Sequence, residues 1–398
     1  MSETIHHQIV VVGGGTAGIS VAARLTNGWF NKRDVAVIEP ADTHYYQPLW
    51  TLVGGGVVPK EITGRPMKSV MPKRVRWIKD AVAGFEPDKN LIRTRDGKII
   101  TYDWLVIAAG LQLNWDRIPG LKEGVTKNGV CSNYSYETVD STWQNIKNFK
   151  GGTAIFTMPS GAVKCGGAPQ KIMYLADETF RKSGVRERSQ VIFTSPLANI
   201  FAVDRYRKTL EEVIKRKQII CHFREELIEI FGDRREAVFR NLDSGETISR
   251  FYDMLHVTPP MGPPTFIAKS PLADNDGWVD VDRETLQHKK FPNVFGIGDC
   301  SNLPTSKTGA AIRKQAPVLV GNLIAAISSQ TLSGKYDGYT SCPLVTGYGK
   351  LVMAEFDYDK KPEETFPIDQ SKELWSMWLV KRYLLPQLYW HGMLKGWM

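Results

Sequence analysis

Cys165 stands in Val163-Lys164-Cys165-Gly166-Gly167-Ala168-Pro169, a glycine-rich loop running into a helical stretch. Pro169 suits a first helical turn. A thiol at a helix N-terminus beside a lysine has a depressed pKa and more thiolate, the form that attacks sulfur. In such a loop the thiol reads as reactive rather than as core packing. Cys342 lies in Tyr339-Thr340-Ser341-Cys342-Pro343, which also reads as a loop. Of the other cysteines, Cys221 in QIICHF and Cys300 after Asp299 read as packing, and Cys131 follows Gly129-Val130. No two of the five form a C-x-x-C, so no zinc or iron–sulfur site of that spacing is expected, and no metal site at all. Five are too few for a disulfide scaffold, and any pairing is long-range.

A second chemistry lies near the N-terminus. Gly13-Gly14-Gly15-Thr16-Ala17-Gly18 is a G-x-G-x-x-G. Residues 9–12 form a β-branched run, read as a buried parallel strand. ISVAARL has helical spacing, and DVAVIEP reads as a second strand ending in Glu39, 21 residues after Gly18. Gly13 makes the turn, and Gly15 lets the backbone reach a pyrophosphate on the helix N-terminus. Gly18 lets the helix pack on the strand, Ala17 completes the turn, and Glu39 can accept from ribose hydroxyls. All of these parts together make a dinucleotide site rather than a tight turn alone.

The 398 residues suffice for two or three domains, and 42% apolar with 23% charged residues excludes a disordered or fibrous chain. Lys plus Arg less Asp plus Glu is 51 − 42 = +9, which favours anionic partners. No apolar run reaches the roughly 18 residues of a spanning helix. The first residues lead straight into a strand with no signal or transit features, so the expectation is a protein kept where it is made or one whose leader was removed.

Two later segments specify the nucleotide. Residues 102–110 read as a strand ending in small residues, Ala109 and Gly110. Residues 291–299 read as a strand ending in Gly298-Asp299. Here the chain resembles the two-dinucleotide-binding-domain flavoproteins, the pyridine nucleotide–disulfide oxidoreductases. The resemblance implies FAD, with Asp299 on its ribityl chain. It also implies an α/β fold of two Rossmann-like, glutathione-reductase-like domains. Residues 1–113 and 289–345 would form a discontinuous FAD domain, 114–288 an inserted second domain, and 346–398 a C-terminal region. In this class the inserted domain opens with its own glycine loop for nicotinamide. Here the strand at 152–157 is followed by Met158-Pro159-Ser160-Gly161, without G-x-G-x-x-G, and Pro159 removes a backbone donor. NADH-dependent reduction is therefore not expected. The first helix and its following loop carry no cysteine, against glutathione-reductase and lipoamide-dehydrogenase chemistry. Cys165 and Cys342, 177 residues apart, fit a redox pair across the isoalloxazine.

The strings HYYQPLWTLVGGG, VKCGGAPQKIMYL, MLHVTPPMGPP, NVFGIGDCSNLPTSKT and KYDGYTSCPLVTGYGK closely resemble sulfide:quinone oxidoreductases of the mitochondrial type. That resemblance implies a disulfide or sulfur-bridged Cys165/Cys342 pair beside FAD. It also implies sulfide as donor, ubiquinone or menaquinone as acceptor, and sulfide, glutathione or sulfite as the small sulfur acceptor. Attack by sulfide would leave Cys165 as a persulfide and free Cys342 as the thiolate next to the flavin. Cys131 sits where other branches of the family carry a third cysteine, and its sulfur-handling role is left open. Lys307 and the helix after it are candidates to stabilise reduced flavin, against a solvated surface lysine. Gln47 and Val82 are cofactor contacts by resemblance alone.

The last 27 residues hold Trp375, Trp378, Trp390 and Trp397 with Lys372, Lys381, Arg382 and Lys395, and Pro386 is expected to split them into two short helical pieces. This composition suits an amphipathic helical anchor at a membrane surface, against a helix packed on the body. The expected location is the bacterial cytoplasmic membrane, or the mitochondrial inner membrane after loss of a transit peptide. Competing readings are a soluble sulfide dehydrogenase donating to a cytochrome and a non-catalytic flavin-bound redox sensor. The chain carries no nucleic-acid module, and a homo-oligomer is compatible with it.

Overall fold

The computed structural model describes residues 4–27 and 33–398. The apolar run ahead of the glycine turn forms strand Thr4–Val12, the centre of a seven-stranded sheet. It pairs in parallel with Val35–Ile38 on one side and Ile99–Ile107 on the other. Val294–Gly296 returns from far along the chain to pair with Ile99–Ile107, also in parallel. The glycine turn, Glu39, Ala108–Gly110 and Gly298-Asp299 therefore all emerge at the carboxyl ends of adjacent parallel strands, where open α/β sheets bind ligands.

A second, five-stranded parallel sheet contains Val130–Cys131, Met254–His256, Gly152–Thr157, Ser189–Ser195 and Ile220–Phe223 in that spatial order. Helix Ala168–Lys182 packs on it through Ile172, Met173, Ala176 and Phe180. The core beneath the first sheet already includes Ile267, Leu272, Val279, Val281 and Leu286. By packing, these residues belong with the first sheet, although 289 is the expected point of return.

Two elements join the cores. The hairpin Thr340–Gly347 with Lys350–Phe356 puts Cys342 and Leu344 into the second core and Val345 and Met353 into the first. Cys342 is thus in a strand, not a loop. Pro343 suggests a loop, but a two-stranded ribbon tolerates proline on its edges. The second joining element is the C-terminal run. Helix Trp375–Leu379, a π-turn at Val380–Leu384 and helix Leu385–His391 follow one another without a break. Pro386 therefore does not split the run. It sits in the first turn of the last helix, and the wide turn before it absorbs the missing donor. Met377, Trp378, Tyr389, Trp390, Met393 and Leu394 pack into the first core. No helix among the described residues is long and apolar enough to cross a membrane.

Candidate active site

The glycine turn has the shape its spacing implies. Gly13 has φ +105°, and a Cβ there would lie 2.6 Å from the Ala108 carbonyl oxygen. A Cβ on Gly18 would meet the Gly13 carbonyl oxygen at 1.8 Å, so only glycine allows the helix to start this close to the strand. At Gly15 the Cβ position faces open space. The Glu39 carboxylate accepts from Gly14 N at 2.6 Å and Ala41 N at 2.8 Å, which fixes it beside the turn. Ala17 is buried against Gly298, which takes φ +73° and donates its N–H to Gln315. Ala109 and Gly110 close strand Ile99–Ile107.

A cavity opens beyond Gly298, lined by Asp299, Lys307, Thr308 and Gln315. Thr308 caps helix Gly309–Ile327 by accepting from Ala311 N. Lys307 is not a solvated lysine. Its ammonium donates to the Ser301 carbonyl at 2.9 Å and lies 4.0 Å above the Trp278 ring. Burial raises the Asp299 carboxyl, with Lys307 and Lys164 opposing, and burial lowers Lys307. The glycine turn, the fixed acid and the open space at Gly15 fit a dinucleotide.

The cysteine loop is tied to the same element. Cys165 N donates to the Lys307 carbonyl at 2.9 Å, and Ala168 N closes a turn onto the Cys165 carbonyl. Cys165 itself has φ +55°, a left-handed conformation that non-glycine residues enter at a cost. This brings its Sγ to 2.7 Å from Cys342 Sγ. A Cβ on Gly167 would lie 2.7 Å from that second sulfur and 2.3 Å from Leu344, so the start of the helix can approach Cys342 only with glycine there. The two sulfurs are held at different acidities. The hydrogen bond from Cys342, and then Lys171, hold Cys165 well below the usual thiol range. Burial, and then the neighbouring Cys165, push Cys342 well above it.

The cation at the sulfur is Lys171, whose Nζ lies 3.2 Å from Cys165 Sγ and which is buried. Lys164, the sequence neighbour, points elsewhere, donating to Gln47 Oε1 at 2.8 Å near the Trp50 ring. Gln47 is therefore linked to the cysteine loop. Lys381 of the C-terminal run is also buried, donates to the Pro48 carbonyl, and bears on Cys165 and Lys171 electrostatically. Burial, then Lys171, lowers it to about 7. Sequence reasoning found neither lysine as part of the site.

The remaining cysteines stand apart chemically. Burial pushes Cys131 and Cys221 up to about 12 and Cys300 up to about 11. Cys131 lies in the second core, paired through its backbone with His256. Val82 heads a strand, four residues after Ile78, whose carbonyl accepts Glu39 N–H.

Removing the Lys171 charge has a defined sign. Without the ammonium the Cys165 thiolate loses a stabilising partner, so its pKa rises. In the reduced protein, Lys171→Met is expected to move the pH midpoint of Cys165 alkylation up by about one unit or more. Labelling at neutral pH should slow accordingly. Superimposable alkylation profiles would remove Lys171 from this role.

Residues 7–145 match the model of the pyridine nucleotide-disulphide oxidoreductase family. The fold is that of the sulfide:quinone oxidoreductase structure from Aquifex aeolicus, with a TM-score of 0.81 over 97% of this chain and 91% of that one, at 20% identity. The fold is that of the pyridine nucleotide-disulphide class of oxidoreductases. The chain is 50% identical over 392 residues to the mitochondrial sulfide:quinone oxidoreductase of Mus musculus, covering 98% of this chain and 87% of that protein. It is 50% identical to the Dictyostelium discoideum counterpart, covering 98% and 86%. The protein belongs to the sulfide:quinone oxidoreductase family.

Proposed function

We propose that this protein oxidises sulfide to sulfane sulfur and passes the two electrons through bound FAD to a membrane quinone, with Cys165 and Cys342 as the redox pair. The observation that carries the reading is the 2.7 Å approach of the two sulfurs, beside a buried lysine and tied by backbone to Lys307. FAD would be held by the turn of Gly13, Gly15, Ala17 and Gly18, with Glu39, Gln47, Val82, Ala109, Gly110, Gly298, Asp299 and Lys307 as its candidate contacts. When bound, it accepts two electrons from the cysteine pair and returns them to quinone. Sulfide breaks the Cys165–Cys342 sulfur bond, forming a Cys165 persulfide and a Cys342 thiolate. A small nucleophile (sulfide, glutathione or sulfite) takes the sulfane sulfur and frees Cys165. Re-forming the bond releases the two electrons. Lys171 and Lys381 counter the negative charge that collects on sulfur at each stage. Cys131, a buried thiol held neutral, takes no part.

The membrane reading rests on the outer face of the C-terminal run. Trp375, Tyr383 and Trp397 are 66, 56 and 75% exposed, with Arg382 and Lys395 near them in sequence. This face lies on lipid at a mitochondrial or bacterial membrane, and a quinone dissolved there is within reach.

Stopped-flow spectroscopy tests the function. Sulfide is expected to bleach the flavin, and a short-chain quinone to restore its colour. NADH is expected to leave the flavin oxidised on the same timescale. Rapid bleaching by NADH, or none by sulfide, would overturn the proposal.

A further inference from the structure

His44 is buried on the short strand Thr43–Tyr45, and the redox chemistry above does not use it. Its Nδ1 lies 3.0 Å from the carbonyl oxygen of Gly14, inside the glycine turn. A carbonyl only accepts, so Nδ1 carries the proton. Burial lowers the ring to about 4, so it is neutral and Nε2 is an acceptor. The Tyr389 hydroxyl, 2.5 Å away, therefore donates to Nε2. The Tyr389 oxygen in turn accepts from Thr16 Oγ1 at 2.8 Å. One relay thus runs from the Thr16 hydroxyl through Tyr389 and His44 to the Gly14 carbonyl, and grips the turn on both sides of Gly15.

The direction of that grip matters. In a trans peptide the C=O and N–H of one unit point opposite ways. Holding the Gly14 carbonyl on His44 aims the Gly15 N–H away from the imidazole. A Cβ on Gly15 would meet no atom within 4 Å, so open space lies at this residue. A pyrophosphate on the helix N-terminus needs N–H groups facing it, and a rotated peptide would present a carbonyl oxygen instead.

Tyr389 belongs to the C-terminal run, which is fastened to the first helix around this point. Its ring packs 4.3 Å from that of Tyr46, and Arg65 lies 4.3 Å above the Trp390 ring. Asn27, just past that helix (Thr16–Thr26), donates to the Lys395 carbonyl.

We infer that His44 and Tyr389 are positioning residues for the dinucleotide. They lock the Gly14–Gly15 peptide with its amide toward the phosphates, and they make the C-terminal run part of the cofactor site. The inference rests on the FAD reading above. Linkage is reciprocal: a clamp that favours bound FAD is itself tightened by FAD.

The experiment follows FAD release from diluted holoenzyme by flavin fluorescence, with hydrogen exchange across residues 13–19 and 385–395. Tyr389→Phe keeps the ring and cuts the relay. It is expected to release FAD about tenfold faster, the effect of one lost buried hydrogen bond. Amides 13–19 should exchange faster while the melting temperature stays within about 2 °C of wild type. His44→Asn keeps a short donor for the Gly14 carbonyl and is expected to retain FAD better than His44→Ala. FAD release and exchange in Tyr389→Phe equal to wild type would overturn the inference and reduce Tyr389 to packing. A wild-type protein that releases no FAD on denaturation would overturn the FAD reading itself, before any variant is compared.

Discussion

Cys165→Ser and Cys342→Ser are each expected to abolish sulfide-driven flavin bleaching, by about three orders of magnitude or more, with the flavin still bound. The size follows from the geometry. The two sulfurs face each other at 2.7 Å, and neither variant can form a bond between them. A serine oxygen is neither the electrophile that sulfide attacks nor a carrier of sulfane sulfur. The glycine turn and the Asp299 cavity are made by other residues, so the yellow colour should survive. The two variants should also differ. In Cys342→Ser, Cys165 keeps Lys171 at 3.2 Å and should alkylate readily. In Cys165→Ser the remaining thiol is buried, which raises its pKa, and should alkylate slowly. Cys131→Ala is expected to keep turnover within about threefold, because a neutral thiol held by burial near 12 supplies no thiolate at neutral pH. Bleaching at the wild-type rate in either serine variant would exclude the sulfur-bond mechanism.

The parts of the site legible in the sequence are those written as local patterns. The glycine turn, Glu39 and the Gly298-Asp299 end are set by short-range spacing, and the parallel sheet brings them together. Cys165 was marked by its glycines, but its cation was not. Lys164 is next in sequence, yet backbone pairing with Lys307 turns its side chain toward Gln47. Lys171, six residues on, reaches the sulfur because the left-handed turn at Cys165 folds the loop back onto the helix. No spacing rule encodes such a turn at a non-glycine residue. Cys342 reads as a loop residue in the sequence, yet it lies in a strand, because a two-stranded ribbon accepts Pro343. Lys381 did leave a trace. It lies four residues after Met377 and three after Trp378, on the face of the helix those residues bury. A lysine on the apolar stripe of an amphipathic helix points to an internal partner, and here that is the Pro48 carbonyl, with the cysteine pair close enough to act on the ammonium electrostatically.

Deleting residues 372–398 is expected to cost the protein its fold and flavin, not merely its hold on lipid. The segment supplies Met377, Trp378, Tyr389, Trp390, Met393 and Leu394 to the first core. At about 2 kcal/mol for each buried apolar side chain, their loss approaches the whole stability of an ordinary protein. Truncation also removes Lys381 from the cysteine pair and Tyr389 from the glycine turn. The expected result is a melting temperature lower by more than about 10 °C and a colourless or insoluble product. For the same reason Trp390 and Lys381, both 4% exposed, cannot report on a headgroup layer. The membrane question belongs to the outer face. A triple variant, Trp375→Ser, Tyr383→Ser and Trp397→Ser, alters only exposed side chains. It is expected to keep its flavin, melt within about 3 °C of wild type and bleach normally with sulfide. Sedimentation with anionic liposomes should fall by at least about tenfold, since three aromatic residues at the interface each contribute to binding. Reoxidation by a long-tailed quinone in liposomes should slow far more than reoxidation by a short water-soluble one, because only the first must be met at the bilayer surface. A triple variant that binds liposomes and uses both quinones as wild type does would remove this face from the membrane contact. A truncated chain that stays folded and yellow would refute the structural role of the segment.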